Sequence, residues 1–215
     1  MLTVYTCIFG NTDPIHDPTC EKNVRYVCFT DQNIKSDYWE IVKMSKQQFP
    51  TRSARMMKTL SHKHIDTEYS LWVDANFTVL ECPTKHIGKD DFVRFVHKDR
   101  KRISDEANEI VKLGKAKKEQ IKRQLAFYQM QGFDTEQNKQ KELSCNSVIL
   151  RKHTPEIIEL NEMWARQIQS HTLRDQMSLD YCAWKLNVKL SAWPGTHDNN
   201  PYFLHTHYKR PVNDY

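Results

Sequence analysis

Short apolar runs closed by turn-forming residues dominate the N-terminal half of the chain. Thr3 to Phe9 and Val24 to Phe29 are rich in Val, Ile, Tyr and Phe and end in Gly10-Asn11 and Asp31-Gln32-Asn33, which marks both as buried strands. Tyr38 to Val42 reads as a third strand. Met56, Met57 and Leu60 then share one face of a helix that Thr51 or Ser53 can cap, with Arg52, Arg55 and Lys58 around it. Further strands are expected at Tyr69 to Val73, Phe77 to Leu80 and Asp91 to Val96, with Asp74-Ala75-Asn76 interrupting the first two. This alternation is that of an α/β fold.

From Ser104 to Gln131 the period becomes helical, with Ser104 as the expected cap, Gly114 and Gly132 as stops, and Leu125, Phe127 and Tyr128 facing the core. Cys145 to Leu150 is another strand. Thr154-Pro155 starts a helix, Thr as cap and Pro in the first turn, and Leu160, Met163, Trp164 and Ile168 follow at helical spacing. A last helix is expected over Asp175 to Leu186, and beyond it the chain reads as irregular and aromatic. The pattern carries no internal repeat or linker, so a single domain is expected over residues 1–215. A fragment of a longer protein fits the same pattern.

Composition narrows the classes. Hydrophobic residues at 39% and charged residues at 27% are ordinary globular usage and argue against disorder. The five glycines form neither GxGxxG nor GxxxxGK[ST], which argues against those two phosphate loops. The six cysteines contain no CxxC pair and are expected to be reduced, mostly buried thiols. No apolar run approaches the roughly 18 residues of a membrane span, and no signal peptide opens the chain, so a soluble, cytoplasmic protein is expected, in the host cytoplasm if the source is viral. The net charge of +5 invites an anionic partner.

Four places carry oxygen, nitrogen or cationic groups in a usable pattern. Asp74 and Asn76 end an apolar strand in one turn, and two oxygen ligands there suit a hard cation such as Mg²⁺ or Mn²⁺. His205 and His207, with Lys209 beside them, sit in an aromatic C-terminal loop where an imidazole can complete a metal site and a cation can meet a departing diphosphate. Asp175-Gln176 stands at a helix start, suited to holding a sugar hydroxyl or to base work. Arg52, Arg55 and Lys58, three residues apart, share one side of a helix that can face a diphosphate. Taken singly, each also fits a turn, a solvated loop, a helix charge or a solvated face.

Taken in order, Val4 to Asp13, Arg25 to Asp31, Arg52 to Lys58, Leu71 to Asn76, Val148 to Pro155 and Arg174 to Ser178 resemble the glycosyltransferase-like domain of plant pectin and mucilage biosynthesis proteins, and of related bacterial and viral glycosyltransferases, including those that glycosylate capsids of large algal viruses. The resemblance implies a GT-A (nucleotide-diphospho-sugar transferase-like) fold with a mixed sheet flanked by helices, a nucleotide-binding half near 1–100 and an acceptor half with a C-terminal loop over 101–215. It puts Asp74 and Asn76 at the DxD position, with Asn in place of the second Asp. It puts Thr6, Ile8, Phe9, Thr30 and Asp31 around the base and ribose, where open α/β sheets bind ligands. The late histidine resembles the one that completes the metal site in several retaining families, a nearby lysine there meeting the diphosphate, and Asp175-Gln176 resembles a pair that touches the donor sugar.

The expected function is therefore a metal-dependent hexosyl- or deoxyhexosyltransferase using a UDP-sugar and Mn²⁺ or Mg²⁺, with a glycan or glycoprotein acceptor and a lean toward retention. Two rivals are a glycosyltransferase acting on modified nucleic-acid bases and a non-enzymatic nucleic-acid binder using the basic stretch Lys112 to Arg123. Glu109 and Glu119 interleave with those lysines and weaken the nucleic-acid readings.

Overall fold

The computed structural model describes residues 1–10, 13–19, 24–136 and 142–206. His207 and Lys209, two of the expected site residues, lie outside the described residues.

Four strands form the parallel part of the sheet: β1 (Leu2–Ile8), β2 (Arg25–Thr30), β3 (Glu40–Lys43) and β4 (Tyr69–Val73). β6 (Phe92–Val96), β7 (Ser144–Lys152) and β8 (Ser191–Ala192) extend it to seven strands in the order β3-β2-β1-β4-β7-β6-β8, and β7 is antiparallel to both β4 and β6. This is the expected mixed α/β sheet, consistent with a glycosyltransferase-like fold of GT-A type. β5 (Phe77–Val79) leaves the sheet and pairs antiparallel with β9 (Phe203–His205), so the C-terminal aromatic segment, expected to be irregular, contains a strand.

The two faces of the sheet are covered differently. Alternate residues Tyr5, Cys7, Trp72 and Ile149 pack in one core with the apolar faces of α1 (Pro50–Thr59), α2 (Ile103–Lys112), α3 (Lys118–Met130), α4 (Pro155–Ser170) and α5 (Leu179–Leu186). Val4, Ile8, Leu71, Val73, Val148 and Leu150 point the other way, into a core closed by Trp39, the β5–β9 ribbon, Trp193 and Tyr202. Helices thus supply one face, loops and a ribbon the other. The period-two alternation of a strand dictates which residue enters which core.

Helix starts differ in detail from the sequence expectation. α1 begins at Pro50, after Phe49, so Thr51 and Ser53 lie inside it. α2 begins at Ile103 with the Arg102 backbone N–H donating to Asp105, so Ser104 is also interior. Thr154 does cap α4, accepting from Ile157 N. The helix expected over Asp175 to Leu186 is a 3-10 turn at Asp175–Met177 followed by α5. Cys7, Cys28, Cys82, Cys145 and Cys182 are buried and outside any disulfide among the described residues. Among those residues no helix is long and apolar enough to cross a membrane.

Candidate active site

Asp74 follows the last residue of β4 at the carboxyl edge of the parallel strands. β7 runs in the opposite sense, so its beginning, Asn146-Ser147, reaches the same edge, and Asp74 N donates to Ser147 O at 2.8 Å. The turn closes when Phe77 N donates to Asp74 O at 3.0 Å, which holds Asp74 and Asn76 over the sheet end.

Lys58, in the last turn of α1, is 1% exposed and points into this edge. Its ammonium meets Asp74 Oδ1 at 2.8 Å and Asp175 Oδ2 at 3.0 Å and donates to Asn146 O at 2.9 Å, so its three protons have three acceptors. Trp72 Nε1 donates to the same Asp74 oxygen at 2.7 Å. One turn earlier on α1, Arg55 stands 3.5 Å from Asp175 Oδ2. Burial opposes ionisation of Asp175, but Arg55, Lys58 and Arg174 outweigh it and hold the carboxyl well below the usual range. The Asp175 carbonyl in turn accepts from buried Trp164 Nε1 at 3.0 Å, which fixes the 3-10 turn.

The C-terminal segment folds back onto the turn. His205 pairs with Phe77 across the β5–β9 ribbon and stacks on its ring at 4.5 Å. His205 Nδ1 lies 2.7 Å from Asp198 Oδ1 and Nε2 lies 3.0 Å from Asn76 Nδ2. A proton on Nδ1, donated to Asp198, leaves the Nε2 lone pair facing Asn76 and the Asp74 turn. His197 Nε2 also approaches Asp198 Oδ1, at 3.2 Å, and Lys98 takes Oδ2 at 2.6 Å. Burial opposes the Asp198 charge, and Lys98, His205 and His197 more than compensate, so its carboxyl too is held low. His197, Asp198 and His205 bring one ligand atom each within 4.8 Å of one another, a candidate metal cluster among the described residues.

One cavity of about 250 Å³ collects Arg55, Lys58, Asp74, Asn76, Asp175, Gln176 and His205 with His97, Arg100, Asn146, Arg174 and His197. Asn146 is buried in the cavity lining, and neither atom of its amide has a hydrogen-bond partner among the described residues. Thr6 and Ile8 line an adjoining crevice with Asp74 and Phe77, too narrow to admit water beneath Ile15, His16 and Trp39. Other expected residues are not among those that line this cavity. Phe9 is buried in the helix-side core, and Thr30 Oγ donates to Ile8 O at 2.7 Å as a strand tie. Asp31 accepts from Gly10 N and Gln47 N, joining the loops after β1 and β3. Arg52 lies outside the cavity, on a neighbouring cleft.

The site residues that sequence reasoning passed over include His97, Arg100, Asn146, His197 and Asp198. A polar Asn in the apolar strand Cys145 to Leu150, and the His-Asp-Asn-Asn turn after Gly195, were the signals.

The TOD1/MUCI70 glycosyltransferase-like domain model matches residues 1–199, nearly the whole chain. The chain belongs to the TOD1/MUCI70 family. No curated protein matches it. Membership in the TOD1/MUCI70 family supports a transferase that joins a donor and an acceptor substrate. The match spans Asp74, Asn76, Asp175 and His197-Asp198, while His205 lies just beyond it.

Proposed function

We propose that the protein transfers a hexosyl or deoxyhexosyl group from a nucleoside diphosphate, UDP in the first instance, to a hydroxyl of a glycan. The observation that carries this reading is the meeting of Asp74, Asn76 and His205 with Lys58 and Arg55 in one cavity at the strand ends. The oxygen and imidazole donors of Asp74, Asn76 and His205 fit a divalent ion of Mn²⁺ or Mg²⁺ type, and the unpartnered Asn146 amide beside them supports a ligand there. Asn76 offers an amide where a second carboxylate is expected, and Asp198, behind His205, supplies the missing negative charge from outside the turn. The ion would neutralise charge on the diphosphate.

The chain's own groups account for the rest. In the transfer, the bond from the anomeric carbon to the diphosphate oxygen breaks and the diphosphate leaves with the electron pair. The acceptor oxygen forms the new bond and passes its proton to the departing diphosphate oxygen. Arg55 and Arg174, at the wall of the cavity, are placed to stabilise the leaving charge. Asp175 is held ionised by its cations, which suits it to positioning Lys58 and Arg55 and to accepting a sugar hydroxyl, and not to donating a proton. Gln176, which lines the same cavity, supports a second contact to the donor sugar. Thr6 and Ile8 would line the nucleoside once Ile15 and His16 move aside.

Incubating the protein with a panel of UDP-, GDP- and dTDP-sugars, Mn²⁺ and neutral or acidic oligosaccharides, with mass detection of product, tests the reading. Transfer from at least one donor, lost in Asp74→Ala, is expected; no transfer and no nucleoside diphosphate release from any donor would oppose it.

A further inference from the structure

Beside the cavity lies a cleft of about 1110 Å³ between the start of α1, the α2–α3 connection and the end of α4. That exceeds the roughly 300–1,000 Å³ of a single small-molecule site and suits several linked sugar rings. Arg55 and Arg174 line both spaces, so the cleft adjoins the candidate site.

The lining has one sign of charge. Arg52, Lys115, Lys117 and His171 join Arg55 and Arg174, and no Asp or Glu is among the described residues that form the walls. Arg55 and Arg174 act on Asp175, but Arg52, Lys115 and Lys117 form no ion pair with a described residue. Glu106 and Glu109 act on Lys115 from α2 without lining the cleft.

The wall is built, not loose. Gly114, at φ +65°, ends α2 in a Schellman motif, with Gly114 N donating to Val111 O at 3.1 Å and Lys115 N to Ile110 O at 2.9 Å. This fixes the backbone of Lys115 at the cleft. On the facing side Thr172 Oγ donates to buried Gln124 at 2.8 Å and ties the end of α4 to α3. Burial first, then the Arg174 charge, lowers the Lys115 pKa, as expected of a cation held among cations. Phe49 exposes 60% of its surface on the rim, and Gln120 and Gln169 offer amides, a combination that suits sugar rings and hydroxyls.

We infer that this cleft is the acceptor site and that the acceptor is an oligosaccharide bearing anionic groups, carboxylate or phosphate, read by Arg52, Lys115 and Lys117. The inference rests on the proposed transferase reading, but its test is a binding measurement that does not require turnover. The full chain is titrated calorimetrically with a hexuronate tetrasaccharide, its carboxyl-reduced neutral counterpart, a neutral tetrasaccharide carrying one phosphate monoester, and a single-stranded oligonucleotide. UDP with Mn²⁺ is titrated separately.

At least one anionic saccharide binds about tenfold or more tightly than the neutral one, the scale of one lost charge-assisted hydrogen bond, and the better of the two distinguishes carboxylate from phosphate. The variant Arg52→Gln/Lys115→Gln/Lys117→Gln abolishes that preference and leaves UDP binding intact. Equal binding of charged and neutral saccharides, no saccharide binding, an unchanged preference in the triple variant, or tighter binding of the oligonucleotide overturns the inference. Anionic saccharide binding without UDP binding upholds the cleft and sinks the transferase reading instead.

Discussion

Lys58 Nζ and Asp175 Oδ2 lie 3.0 Å apart, both side chains almost wholly buried, across a sequence separation of 117 residues. The pair joins α1 to the 3-10 turn before α5 directly beneath the Asp74 turn. It is the mechanical link between the sheet edge and the helices that flank the site.

Removing one partner of a buried ion pair leaves the other charge uncompensated. Lys58→Met is therefore expected to destabilise the fold by about 3–5 kcal/mol, Arg55 recovering only part of the loss at its longer distance. Urea denaturation measures it. A change below about 1 kcal/mol would mean that Asp175 is not held by this pair. The double variant Lys58→Met/Asp175→Asn should be more stable than the single one, since it removes the stranded charge.

Stability should fall as pH drops from about 6.5 to about 4, before carboxylates protonate. His153, whose Nε2 lies between Ser61 Oγ at 3.2 Å and Ser70 Oγ at 2.9 Å, is pushed down to about 4 by burial and then by Arg151. His97 is pushed down to about 4 by burial and then by Arg100. In that window the unfolded chain binds protons that the folded chain does not, so stability is complete above 6.5 and is lost toward 4. Asp175 and Asp198, depressed in the fold, add their loss only below the ordinary carboxylate range. Melting temperatures measured across this range in wild type and His153→Gln check the sign. A flat profile between pH 6.5 and 4 would contradict it.

Asp198 is expected to act through His205. Asp198→Asn should keep the fold yet weaken Mn²⁺-dependent UDP binding by about 10–100-fold, the usual effect of losing the partner that orients an imidazole ligand. Asp198→Glu should restore part of it. Affinity equal to wild type in Asp198→Asn would remove Asp198 from the site.

Much of this was legible in the sequence for physical reasons. Strand ends are marked by turn formers, so the edge position of Asp74 and Asn76 followed from Leu71 to Phe77 alone, and Thr154-Pro155 announced α4 by its capping chemistry. The cations of α1 were not separable in that way. Arg52, Arg55 and Lys58 share a helix side, yet Arg52 is exposed, Arg55 is intermediate and Lys58 is buried, because the carboxylates that receive Lys58 come from distant segments. Asn146 was hidden inside an apolar run whose antiparallel direction, set by tertiary pairing, brings it to the site. β9 is three residues long and has no periodicity of its own; only its pairing with β5 defines it.

Metal-dependent donor binding at the Asp74 turn is tested by calorimetric titration of UDP into the protein with and without Mn²⁺, in wild type, Asp74→Ala and His205→Ala. Mn²⁺-dependent binding to wild type is expected, lost in both variants while their folds remain intact by circular dichroism. Absence of UDP binding by the wild type, or binding that neither the metal nor the two substitutions alter, would contradict it.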